Sequence, residues 1–167
     1  YIKFFETEFE NAKKNSIFEF SLISLVIIER EDFDSFERER RNCPNRVEKI
    51  LFHGTSVDPI SSILTGRFNR AINHKFGEGV YHGDSLDYCW FYGSEKGNRK
   101  NVNKIPKENE TFSLISSFIY YNKNGEKKVK DSSYTPKKNE INIGTANAHI
   151  RNVGDYNYYN LKKELLF

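Results

Sequence analysis

The chain has 167 residues, with 26 Lys and Arg against 23 Asp and Glu for a net charge of +3. That length suits one domain with a sizeable core, and charges so nearly balanced give no footing for nucleic acid or an anionic membrane as partner. Two cysteines, Cys43 and Cys89, without metal-ligand spacing or a disulfide framework, argue against a structural zinc and for a reducing compartment.

No apolar run approaches the roughly 20 residues of a membrane span. The chain opens with Tyr1 and holds no Met, as expected for a fragment of a longer, soluble, intracellular protein. Taken in order, Ile2, Phe5 and Phe9 stand at near-helical spacing and predict an amphipathic helix over residues 1–16. Residues 17–29 are rich in Ile, Val, Leu and Phe and read as a strand. A helix presenting Phe33 and Phe36 on one face follows, ending before a turn over residues 42–45 that holds Cys43, Pro44 and two asparagines.

Next, the strand Lys49 to Phe52 empties into His53-Gly54-Thr55. A short helix is punctuated by Asp58 as cap, Pro59 in the first turn, Ile60, Ile63 and Leu64 facing inward, and Gly66 as stop. Residues 85–93 predict another helix, with Asp84 as cap and Gly93 as terminator. The polar, basic stretch 94–110 reads as a long loop.

Residues 111–121 form the next strand. Asn122 to Glu126 carry the Asn-Gly hairpin signal, with residues 126–130 as the return strand. Residues 139–150 and 155–160 are strand-like, punctuated by Gly144 and Gly154. Strands before and after two short helices give an α+β domain with a mostly antiparallel sheet.

Three stretches carry more information together than apart: Leu51 to Thr55 (LFHGT), Phe76 to Tyr81 (FGEGVY), and Ser85 with Tyr88 (S-x-x-Y). In this order and spacing they resemble the catalytic domain of the poly(ADP-ribose) polymerase (PARP) family, the diphtheria-toxin-like ADP-ribosyltransferases. The resemblance spans roughly residues 20–160 and is strongest over 47–95. It implies a single domain with two mostly antiparallel sheets clamping a cleft for NAD, with short flanking helices.

Carried over residue by residue, the resemblance makes His53 the partner of an NAD ribose hydroxyl and the Gly54 backbone the holder of the nicotinamide carboxamide. Ser85 would reach the same carboxamide, Tyr88 would stack on the pyridine ring and Tyr81 would face it. Thr55 and Gly79 complete the lining, and Gly77 with Gly79 would let the backbone approach closely. Trp90 and Phe91 read as core, His82 as a structural variation on an aromatic position, His74 as a solvated loop residue, and His149 has no matched role.

The family's remaining signature is a glutamate that opens a late strand and bonds the ribose 2′-hydroxyl. Two residues compete for it. Glu140 preserves the acid, whereas Asp155 fits an alignment in which residues 155–160 form the catalytic strand and residues 161–167 the final edge segment. Asp155 is preferred, although aspartate is a methylene shorter, and misplacement of about 1 Å costs on the order of 100-fold in rate.

The function implied is transfer of single ADP-ribose units from NAD to a protein acceptor, with nicotinamide released and no metal required. The rival is a silent module of the same fold that binds NAD or ADP-ribose and recruits partners. A nucleic-acid role through the basic loop is the weakest reading, since Glu95, Glu108 and Glu110 dilute its charge.

Overall fold

The computed structural model describes residues 2–21, 26–27, 33–55, 59–60, 62–63, 68, 77–93, 112, 114–129, 131, 133–134, 140–145, 148–151 and 158–163. Helix α1, Ile2–Lys14, buries Phe5, Phe9 and Ala12 and carries Lys13 and Lys14 in its last turn, where cations complement the helix dipole. Helix α2, Phe33–Asn42, buries Phe36 and follows the same logic, with Asp34 in the first turn and Arg40 and Arg41 in the last. The turn after it places Asn45 at φ +46, a left-handed conformation that asparagine tolerates.

Strands β1 (Val26–Ile27), β2 (Arg46–Gly54), β4 (Leu114–Asn122) and β8 (Tyr158–Lys163) form a first sheet in the order β1-β8-β4-β2, antiparallel throughout. Strands β3 (Val80–His82), β5 (Glu126–Lys127), β6 (Ile141–Thr145) and β7 (Ala148–Arg151) form a second, ordered β3-β7-β6-β5, with β5 and β6 parallel. Helix α3, Leu86–Gly93, follows β3.

β4 explains why the sheets stack. All of its residues but Asn122 are buried, so the strand is covered on both faces, and its side chains alternate between them. Leu114, Phe118 and Tyr120 join Ile50 and Phe52 in a cluster with Phe5, Phe9, Phe36, Leu86 and Cys89 of the three helices. Ile119 and Tyr121 join Leu51 of β2 and Ile141 of β6 on the opposite face. The three helices therefore cover one face of the first sheet, and the second sheet, together with helical Ile60 and Ile63, covers the other. The two sheets also meet at an edge, where the Phe52 and Gly83 N–H groups donate to each other's carbonyls at 2.8 and 2.7 Å.

Several sequence expectations hold among these residues. Ile60 and Ile63 are buried with Phe68, Val80 and Ile115, and residues 59–60 and 62–63 are helical; Asp58, Leu64 and Gly66 lie outside the described residues, as do His74 and the loop 94–110. Trp90 is buried with its ring edge-on to Phe18 at 5.7 Å, and the Phe91 side chain is not among those described.

Four expectations are corrected. Residues 17–21 are bend and coil, not strand, because Asp87 of α3 captures the turn: the Ser16 hydroxyl and, at 3.1 Å, the Ile17 N–H both donate to its carboxylate. The apolar character of this run is absorbed by ring packing of Phe18 on Trp90 and Phe20 on Phe112. The Asn-Gly hairpin does not form. Asn122 instead caps a 3₁₀ turn at Lys123–Gly125 by accepting from the Asn124 N–H, Glu126 is held by the Tyr121 hydroxyl and Lys123, and β5 leaves to pair with β6 in the other sheet.

The N-cap of α3 is Ser85 and not Asp84, since the Ser85 hydroxyl accepts from the Tyr88 N–H at 3.3 Å. Finally, β8 is no edge segment: it lies between β1 and β4.

Candidate functional site

The C-terminal end of β2 is where the two sheets and α3 converge. His53 lies on the same strand face as Leu51, toward the second sheet, and its Nδ1 sits 2.7 Å from the Tyr81 carbonyl oxygen on β3. A carbonyl only accepts, so Nδ1 carries the hydrogen and Nε2 presents a lone pair. Burial lowers the His53 pKa from 6.5, against the raising effect of the Tyr81 carbonyl, which keeps the imidazole neutral at pH 7. Phe68 meets this ring edge-on at 5.0 Å.

Gly54 is required by close approach. A Cβ there would stand 1.9 Å from the Cys89 carbonyl oxygen, so α3 can lie on the end of β2 only because residue 54 has no side chain. The Cys89 thiol is part of the same contact and donates to the Phe52 carbonyl at 3.3 Å. Burial pushes its pKa up to about 12, so it packs as a small apolar group.

Tyr81 is fixed from below, its hydroxyl donating to the Gly77 carbonyl at 2.8 Å. Gly77 has φ +97, and a Cβ there would lie 1.9 Å from the Tyr134 carbonyl oxygen; the Glu78 N–H donates to that same oxygen at 2.8 Å. Glycine is thus needed at residue 77 for both conformation and space. Gly79 is buried immediately before β3.

On the first turn of α3, Ser85 uses an oxygen lone pair as the cap, which leaves its O–H able to donate outward. Tyr88 is half-buried on the same turn, its ring 4.9 Å from that of Tyr92 at 57°. Its phenol pKa is raised, first by burial, then by the Tyr92 hydroxyl and the nearby Cys89 and Tyr81 groups. Thr55 continues β2, half-buried.

His53, Gly54, Tyr81, Ser85 and Tyr88 are thus gathered through two junctions, the His53–Tyr81 bond and the Gly54–Cys89 contact. None of the four side chains is charged at pH 7, and with Gly54 they offer aromatic faces, one imidazole acceptor, one hydroxyl donor and strand-end backbone. Such groups can stack on a flat ring and hydrogen-bond polar groups at its edge.

The two acid candidates fare differently. Glu140 precedes β6, which is two strands from Tyr81: Tyr81 pairs with Ile150 of β7, and Ile150 with Asn142 of β6. Two strand spacings amount to roughly 10 Å, and Glu140 lies two residues further along. Its carboxylate accepts from the Tyr134 hydroxyl at 3.1 Å and stands 3.9 Å from Lys127 Nζ. Asp155 lies outside the described residues. β7, the strand paired with the Tyr81 strand, reads Ala148-His149-Ile150-Arg151 and contains no carboxylate.

Sequence reasoning passed over two features. His82, read as a structural variation on an aromatic position, is buried, with Nε2 3.1 Å from the Ser117 hydroxyl and its ring 5.7 Å from that of His53; His149 lies directly across from it in the β3–β7 register. Tyr92 is the other, and its i+4 spacing from Tyr88 on a helix was the available signal. Among the described residues no cluster of three or more His, Cys, Asp or Glu is placed to hold a metal ion, and no helix is long and apolar enough to cross a membrane.

No protein-family model matches the chain, and no curated protein sequence matches it. The fold is similar to that in the crystal structure of the PARP domain of Arabidopsis RADICAL-INDUCED CELL DEATH1, with a TM-score of 0.60 over 95% of each chain at 9% sequence identity. The chain therefore has a PARP-like fold.

Proposed function

We propose that this domain binds NAD by its nicotinamide end at the junction of β2, β3 and α3, and transfers its ADP-ribose to a protein side chain. The observation that carries the reading is the convergence of His53, Gly54, Tyr81, Ser85 and Tyr88 around one strand end, within a PARP-like fold.

In this reading the Gly54 backbone and the Ser85 O–H hold the carboxamide, and Tyr88 stacks on the pyridinium with Tyr81 opposite. His53 Nε2 accepts from a ribose hydroxyl, which its fixed tautomer allows. Thr55 and Gly79 line the approach. The bond from ribose C1′ to the pyridinium nitrogen breaks with its electron pair going to nitrogen, which neutralises the leaving group without a metal. The acceptor's lone pair then bonds C1′ and its proton leaves. The carboxylate of Asp155 stabilises the positive charge that develops on the ribose.

A second reading is favoured by a specific observation: β7 carries no carboxylate and Glu140 is two strands from Tyr81, tied to Tyr134 and Lys127. A domain that keeps the aromatic slot and lacks a placed acid binds NAD or ADP-ribose and recruits partners without transferring anything.

Two measurements on the purified chain test both readings. Benzamide, a nicotinamide mimic, and NAD should each raise Tm, and His53→Ala and Tyr88→Ala should abolish the benzamide shift. Radiolabel from NAD appearing on protein supports transfer; a Tm shift without label supports the binding module. No shift with either compound overturns the pocket.

A further inference from the structure

We infer that Tyr92 is a positioning residue that holds the Tyr88 ring in its ligand-facing orientation. This rests on the pocket proposed above. Tyr92 lies one helical turn beyond Tyr88, with ring centroids 4.9 Å apart and hydroxyls 3.4 Å apart. It is among the most exposed large apolar residues described, at 40% exposure, whereas its neighbours Cys89, Trp90 and Gly93 are buried. Tyr92 belongs to none of the three core clusters. Its ring and hydroxyl both meet the α3 side chain that the pocket needs in a fixed pose.

A phenol ring on a helix surface swings about two side-chain torsions, and a ring that swings must be immobilised when a flat ligand stacks on it. The Tyr92 ring performs that immobilisation in advance, closing off part of the space into which Tyr88 could rotate. The hydroxyl pair is longer than the usual 2.7–2.8 Å for such bonds, so the ring contact carries the effect.

The experiment compares Tyr92→Ala, Tyr92→Phe and Tyr88→Ala by benzamide affinity and by Tm without ligand. Tyr92→Ala should weaken benzamide binding by roughly 3- to 10-fold, the range of one aromatic pair contact. Tyr92→Phe should restore affinity to within about 2-fold, since it keeps the ring, and both variants should melt close to the parent. Unchanged affinity in Tyr92→Ala, with binding abolished in Tyr88→Ala, overturns the role of Tyr92 and leaves the pocket standing. Equal loss in Tyr92→Phe and Tyr92→Ala also overturns it, because the hydroxyl would then be responsible. If the parent binds no benzamide, the pocket itself fails and this inference with it.

Discussion

The end of β2 and the start of β6 treat their polar side chains in opposite ways. At β2, His53 reaches across to the β3 backbone and leaves one ring nitrogen as an acceptor, while Gly54 admits a helix to contact distance. At β6, Glu140 turns to local partners, the Tyr134 hydroxyl and the Lys127 ammonium. One strand end is tied to β3 and α3, elements distant in the chain; the other pairs with Tyr134 and Lys127, six and thirteen residues before it. In the proposed function, recognition of a flat amide and stabilisation of a ribosyl cation are separable, and the residues at the end of β2 are assigned only to the first.

The largest effect expected is at the junction itself. Gly54→Ala places a methyl group 1.9 Å from a helix backbone oxygen, and no rotamer change relieves a clash between main chain and Cβ. The end of β2 and α3 must separate, at a cost of at least about 3 kcal/mol, which lowers Tm on the order of 10 °C in a chain of this size and abolishes benzamide binding. A variant that melted like the parent would break the view that α3 is seated on β2 through this glycine.

His53 sharpens the same comparison through pH. Its pKa in the folded chain is lowered from 6.5 by burial, so the unfolded chain binds the proton more readily and stability rises with pH across that range. The contribution is complete above about pH 6.5 and is lost as pH falls from there toward the lower folded value. His53→Asn, which keeps a donor for the Tyr81 carbonyl, should flatten the fall in Tm between pH 7 and pH 5 relative to the parent. Identical pH profiles would show that the ring is not buried as described.

Ser85 separates helix from ligand. Ser85→Ala removes the cap of α3 and should cost about 1 kcal/mol, or some 2–4 °C in Tm, together with benzamide affinity. Ser85→Asn retains a side-chain acceptor for the Tyr88 N–H and should recover the Tm while still binding benzamide weakly. Recovery of both would reduce Ser85 to a cap.

Much of this architecture is legible in the sequence, and the misses have physical causes. α1, α2 and α3 and the strands β2 and β4 follow from apolar spacing and from glycine or asparagine at their ends, because those local signals agree with the packing. Of the strand expected over residues 17–29, Val26–Ile27 forms β1, whereas residues 17–21 do not join it, because composition does not say what an apolar run packs against, and here Asp87, seventy residues away, holds its start in a turn. The Asn-Gly signal fails because Asn122 spends its side chain on capping. At the site, the motifs point to the residues gathered at the end of β2. The His82–Ser117 pair needs the three-dimensional register, since Ser117 lies 35 residues from His82, whereas Tyr92 lies one helical turn beyond Tyr88 and is readable from that spacing.

Glu140 supplies the smallest effect expected and the last way to break the comparison. Glu140→Gln keeps an acceptor for the Tyr134 hydroxyl and loses only the charge beside Lys127, a separation of 3.9 Å at a half-exposed site, where such a pair is worth under about 1 kcal/mol. Tm should shift by no more than about 3 °C, and the rate of label transfer from NAD, where transfer occurs, should stay within about 2-fold of the parent. A catalytic carboxylate behaves otherwise: removing a group that stabilises a developing charge costs on the order of 100- to 1,000-fold. A loss of that size in Glu140→Gln would mean that the start of β6 swings into the pocket when NAD binds, and the two strand ends would then belong to one site. The same loss in Asp155→Asn, with Glu140→Gln silent, would assign the acid to residue 155 and keep the two strand ends apart.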